Sequence, residues 1–549
     1  MKNNYLLFLI LLPLYCQCQE ILWEKSYGGT NADYLFDAQP TADYGFILAG
    51  SSLSTKSGNK TSDNNGNLDY WIWKMDEKGD LDWQKSIGGN GYDVLQSIEI
   101  TVDGGFILAG SSNSAKGSDK KEDSKGLLDF WVVKLNAKGD EQWQRTIGGS
   151  GQDELLRAFQ TKDGGYMLGG SSNSSPTLDK TKKVSQELSI DLYSKLEESR
   201  GNMDYWIVKL DKEGNIEWQK TYGGKYTEVL RSMEQTSDRG YILAGYSNSP
   251  ASGDKIENNK GLGDFWIIKI NSSGEIEWQN VYGAEGDDQP YIIHQTSDAG
   301  YIVGGNSNST KSLTSYGGTV NDGIDFWVLK IDKIGEIDWS KTFDFGKADI
   351  LTSLVVNTDG SYLIGGYSKG EIKRGLISDV AKQAGMGIDK DGINDYIALK
   401  IDDTGEEIWN KTVGSSGEDI LRKLMETRDG GYIMAGTSNS KSSKDKNSNV
   451  GGSDFWVVKL KDKQKVEKVK ASIEAIPNPA RPFTNIVIGF EFETGSAALI
   501  DLTGRILQNF EISSRTVPFD LSQYPDGFYI VQIKTNVKTE SVKIIKSSN

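Results

Sequence analysis

Acidic side chains are the residues of this sequence whose type and spacing could do chemistry. A Gly-Gly-x-x-x-acid segment recurs along the chain, and we expect its carboxylates to lie on one face. The acids are Asp33, Asp93, Asp153, Glu228 and Asp419. Carboxylates can bind cations or accept hydrogen bonds from sugar hydroxyls, and binding residues concentrate on loops of a rigid scaffold. We therefore predict that these five residues belong to a ligand-binding face.

A second acidic pattern lies at residues 387–395, which read Gly-Ile-Asp-Lys-Asp-Gly-Ile-Asn-Asp. Oxygen ligands at alternating positions beside a glycine turn are typical of the start of a calcium loop. The predicted metal ligands are Asp389, Asp391 and Asp395, and calcium is the one cofactor that the sequence suggests. The closing glutamate of an EF-hand is absent, so a polar turn is the alternative interpretation.

Several kinds of catalytic site are excluded by composition. The only histidine is His294, and both cysteines, Cys16 and Cys18, lie in the first eighteen residues. Multi-histidine zinc sites and thiolate sites therefore cannot recur around the structure. Two carboxylates could still act together in a glycoside hydrolase or lyase, but no pair stands out. We predict no catalytic residue and favour a protein that is not an enzyme.

Charge and length narrow the functional class. The chain has 549 residues and a net charge of −16, with 37% hydrophobic and 25% charged residues. This length predicts several structural units. The acidic balance disfavours nucleic-acid binding, which depends on lysine and arginine contacts to phosphate. An acidic surface is typical of an exported protein that binds cations or neutral sugars.

The first eighteen residues predict a signal peptide. Lys2 supplies the amino-terminal charge, and 5–14 form an apolar run that is too short to span a bilayer. Cleavage after Cys18 would fit the small residues at positions 16 and 18. The alternative is a lipoprotein signal with Cys18 or Cys16 as the lipidated residue. No later segment predicts a transmembrane helix.

Two sequence phrases recur at a nearly fixed period. The first is Asp-aromatic-Trp, beginning at Asp69, Asp129, Asp204, Asp264, Asp325 and Asp454, with a variant at Asp395. The second begins at a tryptophan, at positions 23, 83, 143, 218, 278, 339 and 409. A period of 59 to 75 residues indicates a repeat architecture. We expect the tryptophans to pack between repeats and the aspartates to cap backbone N–H groups.

Each repeat predicts four antiparallel strands. In the second repeat these are 94–101, 106–111, 129–135 and 141–147, joined by glycine-containing turns. A lone fourth strand at 21–27 can complete the last repeat, which stops after a third strand at 454–460. We predict an all-β fold, a seven-bladed β-propeller closed by the N-terminal strand. A β-helix or an array of sandwiches is the alternative, but neither explains the split repeat.

The propeller topology predicts one variable face. Loops between the second and third strands share a rim with the links between repeats, so ligand binding is expected there. Two of these loops are longer than the rest. Residues 184–196 and 377–384 are predicted to form short amphipathic helices within them.

The last 75 residues resemble the type A C-terminal sorting domain of the type IX secretion system of Bacteroidetes. The resemblance rests on four short motifs in order, with Pro477, Asn478, Pro479, Gly504, Arg505, Gly527, Tyr529, Lys543 and Lys546 as their defining residues. It implies a small Ig-like β-sandwich. We predict a signal peptide at 1–18, a propeller at 19–460, a linker at 461–474 and a sorting domain at 475–549.

The resemblance also implies a route and partners. The signal peptide would deliver the chain to the periplasm, and the sorting domain would direct it across the outer membrane. Its implied partners are the type IX machinery and its sortase, and its implied destination is the medium or the outer cell surface. The predicted function is binding of a glycan or surface protein by a monomer. A polysaccharide-degrading hydrolase or lyase on the propeller is the alternative function.

Overall fold

A computed structural model describes residues 19–176, 193–309, 323–369, 394–462, 471–480 and 483–547. The described residues form 35 β-strands, and no helix among them is long and apolar enough to cross a membrane. Before residue 463 the strands make seven antiparallel four-stranded sheets. The all-β propeller predicted from the repeats is the architecture observed.

Six sheets are continuous in sequence. The first contains β2 (Asp33–Pro40), β3 (Phe46–Ser52), β4 (Asp69–Met75) and β5 (Leu81–Ile87). The second contains β6 (Asp93–Ile100), β7 (Phe106–Ser112), β8 (Asp129–Leu135) and β9 (Glu141–Ile147). The third contains β10 (Asp153–Gln160), β11 (Tyr166–Ser172), β12 (Asp204–Leu210) and β13 (Ile216–Tyr222). The fourth contains β14 (Glu228–Gln235), β15 (Tyr241–Ser247), β16 (Asp264–Ile270) and β17 (Ile276–Tyr282).

The fifth sheet contains β18 (Asp288–Gln295), β19 (Tyr301–Ser307), β20 (Asp325–Ile331) and β21 (Ile337–Phe343). The sixth contains β22 (Ala348–Val356), β23 (Tyr362–Lys369), β24 (Asn394–Ile401) and β25 (Glu407–Val413). The seventh joins both ends of the repeat region, with β26 (Asp419–Glu426), β27 (Tyr432–Ser438) and β28 (Asp454–Asp462) completed by β1 (Gln19–Tyr27). In this sheet β1 pairs antiparallel with β28, as the split repeat predicts.

The first strand of each sheet lies on an inner ring. Each of these strands packs against its counterpart in the next sheet, and β26 of the seventh sheet packs against β2 of the first. The two middle strands of most sheets are buried along their whole length, whereas the fourth strands are partly exposed. The sheets therefore bury their faces against one another, and solvent reaches mainly the outermost strands and part of the innermost strands, such as Tyr34 of β2.

Aromatic side chains fill the space between neighbouring sheets. The ring of Tyr70 lies 4.7 Å from that of Trp131 in the next sheet, and its hydroxyl donates to the Trp131 carbonyl at 3.0 Å. The same pairing recurs as Phe130–Trp206, Tyr205–Trp266, Phe265–Trp327, Tyr396–Trp456 and Phe455–Trp71. The expectation that these tryptophans pack between repeats is confirmed.

The boundary between the fifth and sixth sheets lacks the tryptophan of this pairing, and another aromatic residue replaces its contact. The sixth sheet has Ile397 where the other sheets have tryptophan. There the ring of Phe326 packs instead against that of Phe345, at 5.5 Å between centroids. Phe345 stands where the other links between sheets have glycine, alanine or serine, so two substitutions together preserve the packing.

Residues 473–546 form a separate β-sandwich. Its strands are β29 (Ile473–Ile476), β30 (Phe483–Ile488), β31 (Gly495–Asp501), β32 (Ile506–Ile512), β33 (Thr516–Asp520), β34 (Gly527–Thr535) and β35 (Thr539–Lys546). They make two sheets around one apolar core that includes Leu499, Phe519 and Val531. The strands β28 and β29 each extend two residues into the segment predicted as a linker.

Candidate functional site

The strand order gives the propeller two unlike rims. We call the rim that holds the links between sheets and the loops between second and third strands the loop rim, and the opposite rim the base rim. The base rim holds only tight turns, such as those closed by Gly104 and Gly139 at φ values of 73° and 82°. Positive φ in these turns favours glycine.

Buried lysines fasten the base rim. The repeated lysine of the third strand donates to the aspartate in the turn between the first two strands, and Lys269 pairs with Asp238 at 2.9 Å. Partial burial alone would raise the pKa of Asp238, but hydrogen bonds from Thr236 and Lys269 lower it to about 2. Equivalent pairs are Lys74–Asp43, Lys134–Asp103, Lys209–Asp163, Lys330–Asp298, Lys400–Asp359 and Lys459–Asp429.

The C-terminal sandwich contacts the base rim. Arg515 bridges to Glu77 at 3.1 Å, and both side chains are largely buried. Arg428, in a turn of the seventh sheet, bridges to Glu474 at 3.4 Å. A cavity of about 610 Å³ lies between the sandwich and the first two sheets, with Lys74 on its wall. These contacts all use base-rim turns and leave the loop rim uncovered by the sandwich.

The five predicted ligand-binding acids require a correction. Asp33, Asp93, Asp153, Glu228 and Asp419 are each 0% exposed, so their carboxylates do not form a surface. Each carboxylate accepts a backbone N–H from the residue four positions earlier, as from Gly89 to Asp93 at 2.7 Å. A carboxylate that satisfies a backbone donor in the link holds the loop rim together. These residues are on the predicted rim, but their contacts are structural.

A second buried acid faces each of these from the preceding sheet. It is the aspartate of the Asp-aromatic-Trp phrase, whose carboxylate accepts backbone N–H groups, as Asp129 does from Lys125 at 2.5 Å. The capping role expected for this residue is confirmed. Burial raises the pKa of Asp129 to about 6, the amides of Lys125 and Gly126 oppose this, and the charge of Asp153 adds to it. Burial likewise raises the pKa of Asp69, Asp204 and Asp264 to about 6.

The inner ring carries residues that the sequence alone did not reveal. A β-bulge interrupts each first strand where it pairs with the second, between Leu230 and Ser232 in the fourth sheet. The bulged residue varies among the sheets: it is arginine in two of them, Arg231 and Arg422, and is Phe36, Gln96, Leu156, Tyr291 and Thr352 in the other five. Bulges commonly re-aim side chains near binding sites. A position that varies among otherwise similar repeats is where specificity is expected.

Two arginines at this position form the strongest candidate site. The Arg231 guanidinium lies 5.4 Å from the ring centre of Tyr291, and that of Arg422 lies 5.5 Å from Phe36. Each ring is the bulged residue of the adjacent sheet. The Nε atoms of both arginines are buried and donate to no hydrogen-bond partner among the described residues. Guanidinium groups held on aromatic faces with donors still available suit carboxylate or sulfate recognition.

Exposed apolar and aromatic side chains surround the inner ring on the loop rim. Tyr92 is 49% exposed and Tyr226 is 42% exposed, both within links between sheets. Leu127 and Leu262, at equivalent places in two loops, are 67% and 73% exposed. Tyrosines that present a ring and a hydroxyl to solvent are common in binding surfaces.

Other predicted sites lie partly outside the described residues. Asp389 and Asp391 are outside them, while Asp395 lies in β24, beside Gly414, and is one of the repeat aspartates. The predicted helix at 377–384 and most of that at 184–196 are also outside. At the described end of the latter, Ser194 forms a β-bridge with Gly148, so this part is not helical. His294 bonds to Glu234 at 2.7 Å and to the Leu354 carbonyl at 3.0 Å.

The sorting-motif residues hold the sandwich together. The Asn478 side chain, between Pro477 and Pro479, donates to the Lys543 carbonyl and accepts from the Ile545 amide, both at 2.9 Å. These bonds tie the entry of the domain to its last strand. The remaining motif residues have their own contacts: Gly504 is in a turn, Arg505 bonds Asp501, Gly527 begins β34, Tyr529 donates to Pro525, Lys543 covers Phe528, and Lys546 bonds the Tyr524 carbonyl.

Residues 474–547 match the protein-family model described as the secretion system C-terminal sorting domain. The protein is a cargo of the type IX secretion system. Its sorting domain directs it to the cell surface or the extracellular space, as the motifs predict. The sorting domain is thus the sandwich that contacts the base rim.

The propeller region has partial or distant similarity to known proteins. Regulatory protein FlaEY of Caulobacter vibrioides is 30% identical over 138 residues, or 24% of this chain, and the match covers 14% of that relative. Sqt1 of Chaetomium thermophilum has a TM-score of 0.40 at 9% identity, with 80% of this chain and 100% of that one covered. The Pan2 WD40 domain of Neurospora crassa has a TM-score of 0.37 at 10% identity, with 82% and 98% covered. The strand pairing itself establishes the architecture.

Proposed function

We propose that this exported protein binds an acidic extracellular glycan through the loop rim and the inner ring. The observation that supports this most directly is the placement of Arg231 and Arg422 at an inner-ring bulge position whose residue type varies among the sheets. Guanidinium donors can bind uronate or sulfate groups, and the exposed rings of Tyr92 and Tyr226 can stack on sugar faces.

The negative charge of the whole protein makes the two inner-ring arginines important for binding an acidic ligand. The protein carries a net charge of −16, so an acidic ligand would be repelled by most of its surface. Local arginines with buried and unpartnered Nε atoms would have to supply the attraction. Repulsion of an acidic ligand by most of the protein surface, combined with attraction by the two arginines, favours binding of that ligand in one place and one orientation.

Export agrees with this function. The type IX route brings the propeller to the cell surface or the medium, where polysaccharides are available as ligands. The sorting domain contacts the base rim, so the loop rim can meet a ligand whether or not that domain has been removed.

A glycan array that includes uronic-acid, sulfated and neutral polysaccharides tests the proposal. The probe is the chain without its signal peptide, residues 19–549. We expect selective binding to acidic glycans, with affinity reduced at least about tenfold by Arg231→Gln and by Arg422→Gln, since one charge-assisted pair contributes about 1.5–3 kcal/mol. Arg505→Gln, a change of the same type in the sorting domain, should bind as the parent does.

Other outcomes would replace the proposal. Binding that survives both inner-ring substitutions would place the site elsewhere. A blank array together with capture of a defined surface protein would indicate a protein ligand. Shortening of an acidic polysaccharide by the parent chain would indicate the hydrolase or lyase alternative.

A further inference from the structure

The C-terminal sandwich contacts the base rim at turns of three neighbouring sheets. These are the seventh sheet, the first and the second, which lie side by side in the ring. On the sandwich, the contacts come from β29, from β30 and from the residue before β33. The repeated scaffold has similar turns all around the base rim. Residues that distinguish these three sheets from the other four therefore show whether the placement is specific.

An ion pair fixes the sandwich to the first sheet. Arg515 Nη1 donates to Glu77 Oε1 at 3.2 Å, and Nη2 lies 3.1 Å from Oε2. Both side chains are largely buried, so loss of either partner would leave an uncompensated charge. Among the six sheets that have this turn, only the first has glutamate at the position. The equivalent residues are Ala137, Lys212, Ser272, Lys333 and Asp403.

A second contact joins the seventh and first sheets to β29. Arg428 bridges to Glu474 at 3.4 Å, and its guanidinium carbon lies 4.7 Å from the ring centre of Tyr44. The Tyr44 hydroxyl donates to the same Glu474 carboxylate at 3.4 Å. Tyr44 has a φ of 67°, where the other sheets have glycine, alanine or arginine, and a bulky residue is uncommon in that conformation. Arginine at the position of Arg428 is likewise unique among the seven sheets.

The second sheet contributes a turn that fits the sandwich only without a side chain. A Cβ at Gly104 would lie 2.6 Å from Cε1 of Phe483 and 3.0 Å from the amide nitrogen of Asn485, both of which are buried residues. At the equivalent Gly164 of the third sheet, a Cβ would meet no described atom within 4 Å. The sandwich therefore fills the space above one turn and leaves the same turn of the next sheet open.

We propose that this part of the base rim is a binding site for the sorting domain, which stays bound to the propeller after a peptide bond within 463–470 is hydrolysed. A buried ion pair, a second cation–carboxylate contact and a close apolar fit together specify one partner in one orientation. The motif residues Gly504, Arg505 and Lys543 are exposed in the docked arrangement, so they are available to the type IX machinery. This inference does not depend on glycan binding.

Cleavage of the 19–549 chain at an introduced site tests the proposal. A recognition sequence for a site-specific protease replaces residues within 463–470, and the intact protein is purified before it is cut. We expect the propeller and sorting-domain fragments to elute together from a size-exclusion column at about 10 µM protein, because the expected dissociation constant is about 1 µM or lower. Separation of the parent fragments at this concentration would overturn the proposal.

Gly104→Ala locates the contact. The same turn accepts alanine in the fifth sheet, at Ala299 with a φ of 66°, so the variant should fold. Its Cβ would overlap the Phe483 ring, and association of the fragments should weaken at least about tenfold, in line with the cost of overpacking. Gly164→Ala is the matched control, because it makes the same change in an open turn and should leave association unchanged.

Glu77→Ala provides a second, independent variant. It places the residue of the second sheet, Ala137, in the first, and it should also weaken association at least about tenfold because Arg515 loses its buried partner. Lys212→Ala, the same change in the equivalent turn of the third sheet, should bind as the parent does. Association at the parent affinity in both Gly104→Ala and Glu77→Ala would overturn the proposal, because the fragments would then be held together elsewhere.

Discussion

Removing Trp131 should reveal how strongly neighbouring sheets depend on their aromatic contacts. Trp131 is 0% exposed, and its ring lies 4.7 Å from Tyr70 of the first sheet. Trp131→Ala should lower the free energy of unfolding by about 3–5 kcal/mol through lost burial and a residual cavity. Gln144 loses the indole donor but keeps the Lys121 amide at 3.0 Å, so we add no penalty for an unpaired amide oxygen.

Trp83 offers a matched comparison at the same boundary. It is half-buried on the fourth strand of the first sheet, with its ring 5.9 Å from Phe106 of the second sheet. Trp83→Ala should lower the free energy of unfolding by about 2 kcal/mol, because the half-exposed Trp83 side chain buries roughly half as much apolar area on folding as Trp131 does. Urea unfolding followed by far-UV circular dichroism measures both losses. Equal losses, or a loss below about 1 kcal/mol for Trp131→Ala, would refute the packing argument.

Three further predictions concern charge. The buried carboxyls of Asp69, Asp129, Asp204 and Asp264 have pKa values of about 6 in the folded protein, against 3.8 when unfolded. Because the folded state binds these protons more tightly, the stability they contribute is lost as pH rises through 6, so the urea midpoint of unfolding should increase from pH 7 to pH 4. Lys269→Met should cost about 1–2 kcal/mol and raise the pKa of Asp238, measured by NMR titration. Arg515→Ala should speed hydrogen exchange in the turn at Glu77, whereas Arg505→Ala should not.

The repeats predicted the fold well because each strand has its own local signals. The strands Asp129–Leu135 and Glu141–Ile147 begin and end where the sequence predicts, since segments rich in aromatic and β-branched residues are bounded by glycine-containing turns. The pairing of β1 with β28 followed from a fourth strand at one terminus and a missing one at the other. The four motifs likewise predicted the sorting domain that the family match identifies.

The site was predicted less well because burial depends on neighbours that are distant in sequence. Asp93 follows a glycine link and looks like a loop residue, yet the adjacent sheet covers it completely. Arg231 looks like an ordinary strand residue until a bulge places it on the inner ring. Alignment of the seven repeats would have identified the variable bulge position that Arg231 occupies.

Labelling the two rims of one sheet tests the central claim, that the loop rim is the binding surface. The chain after residue 18 has no cysteine, so single cysteines can be introduced at exposed Lys225 on the loop rim and at exposed Ser272 on the base rim of the fourth sheet. Each variant would carry a bulky maleimide polymer while binding to the acidic glycan is measured. Our account predicts that the label at position 225 blocks binding and that the label at 272 does not; the reverse result would contradict it.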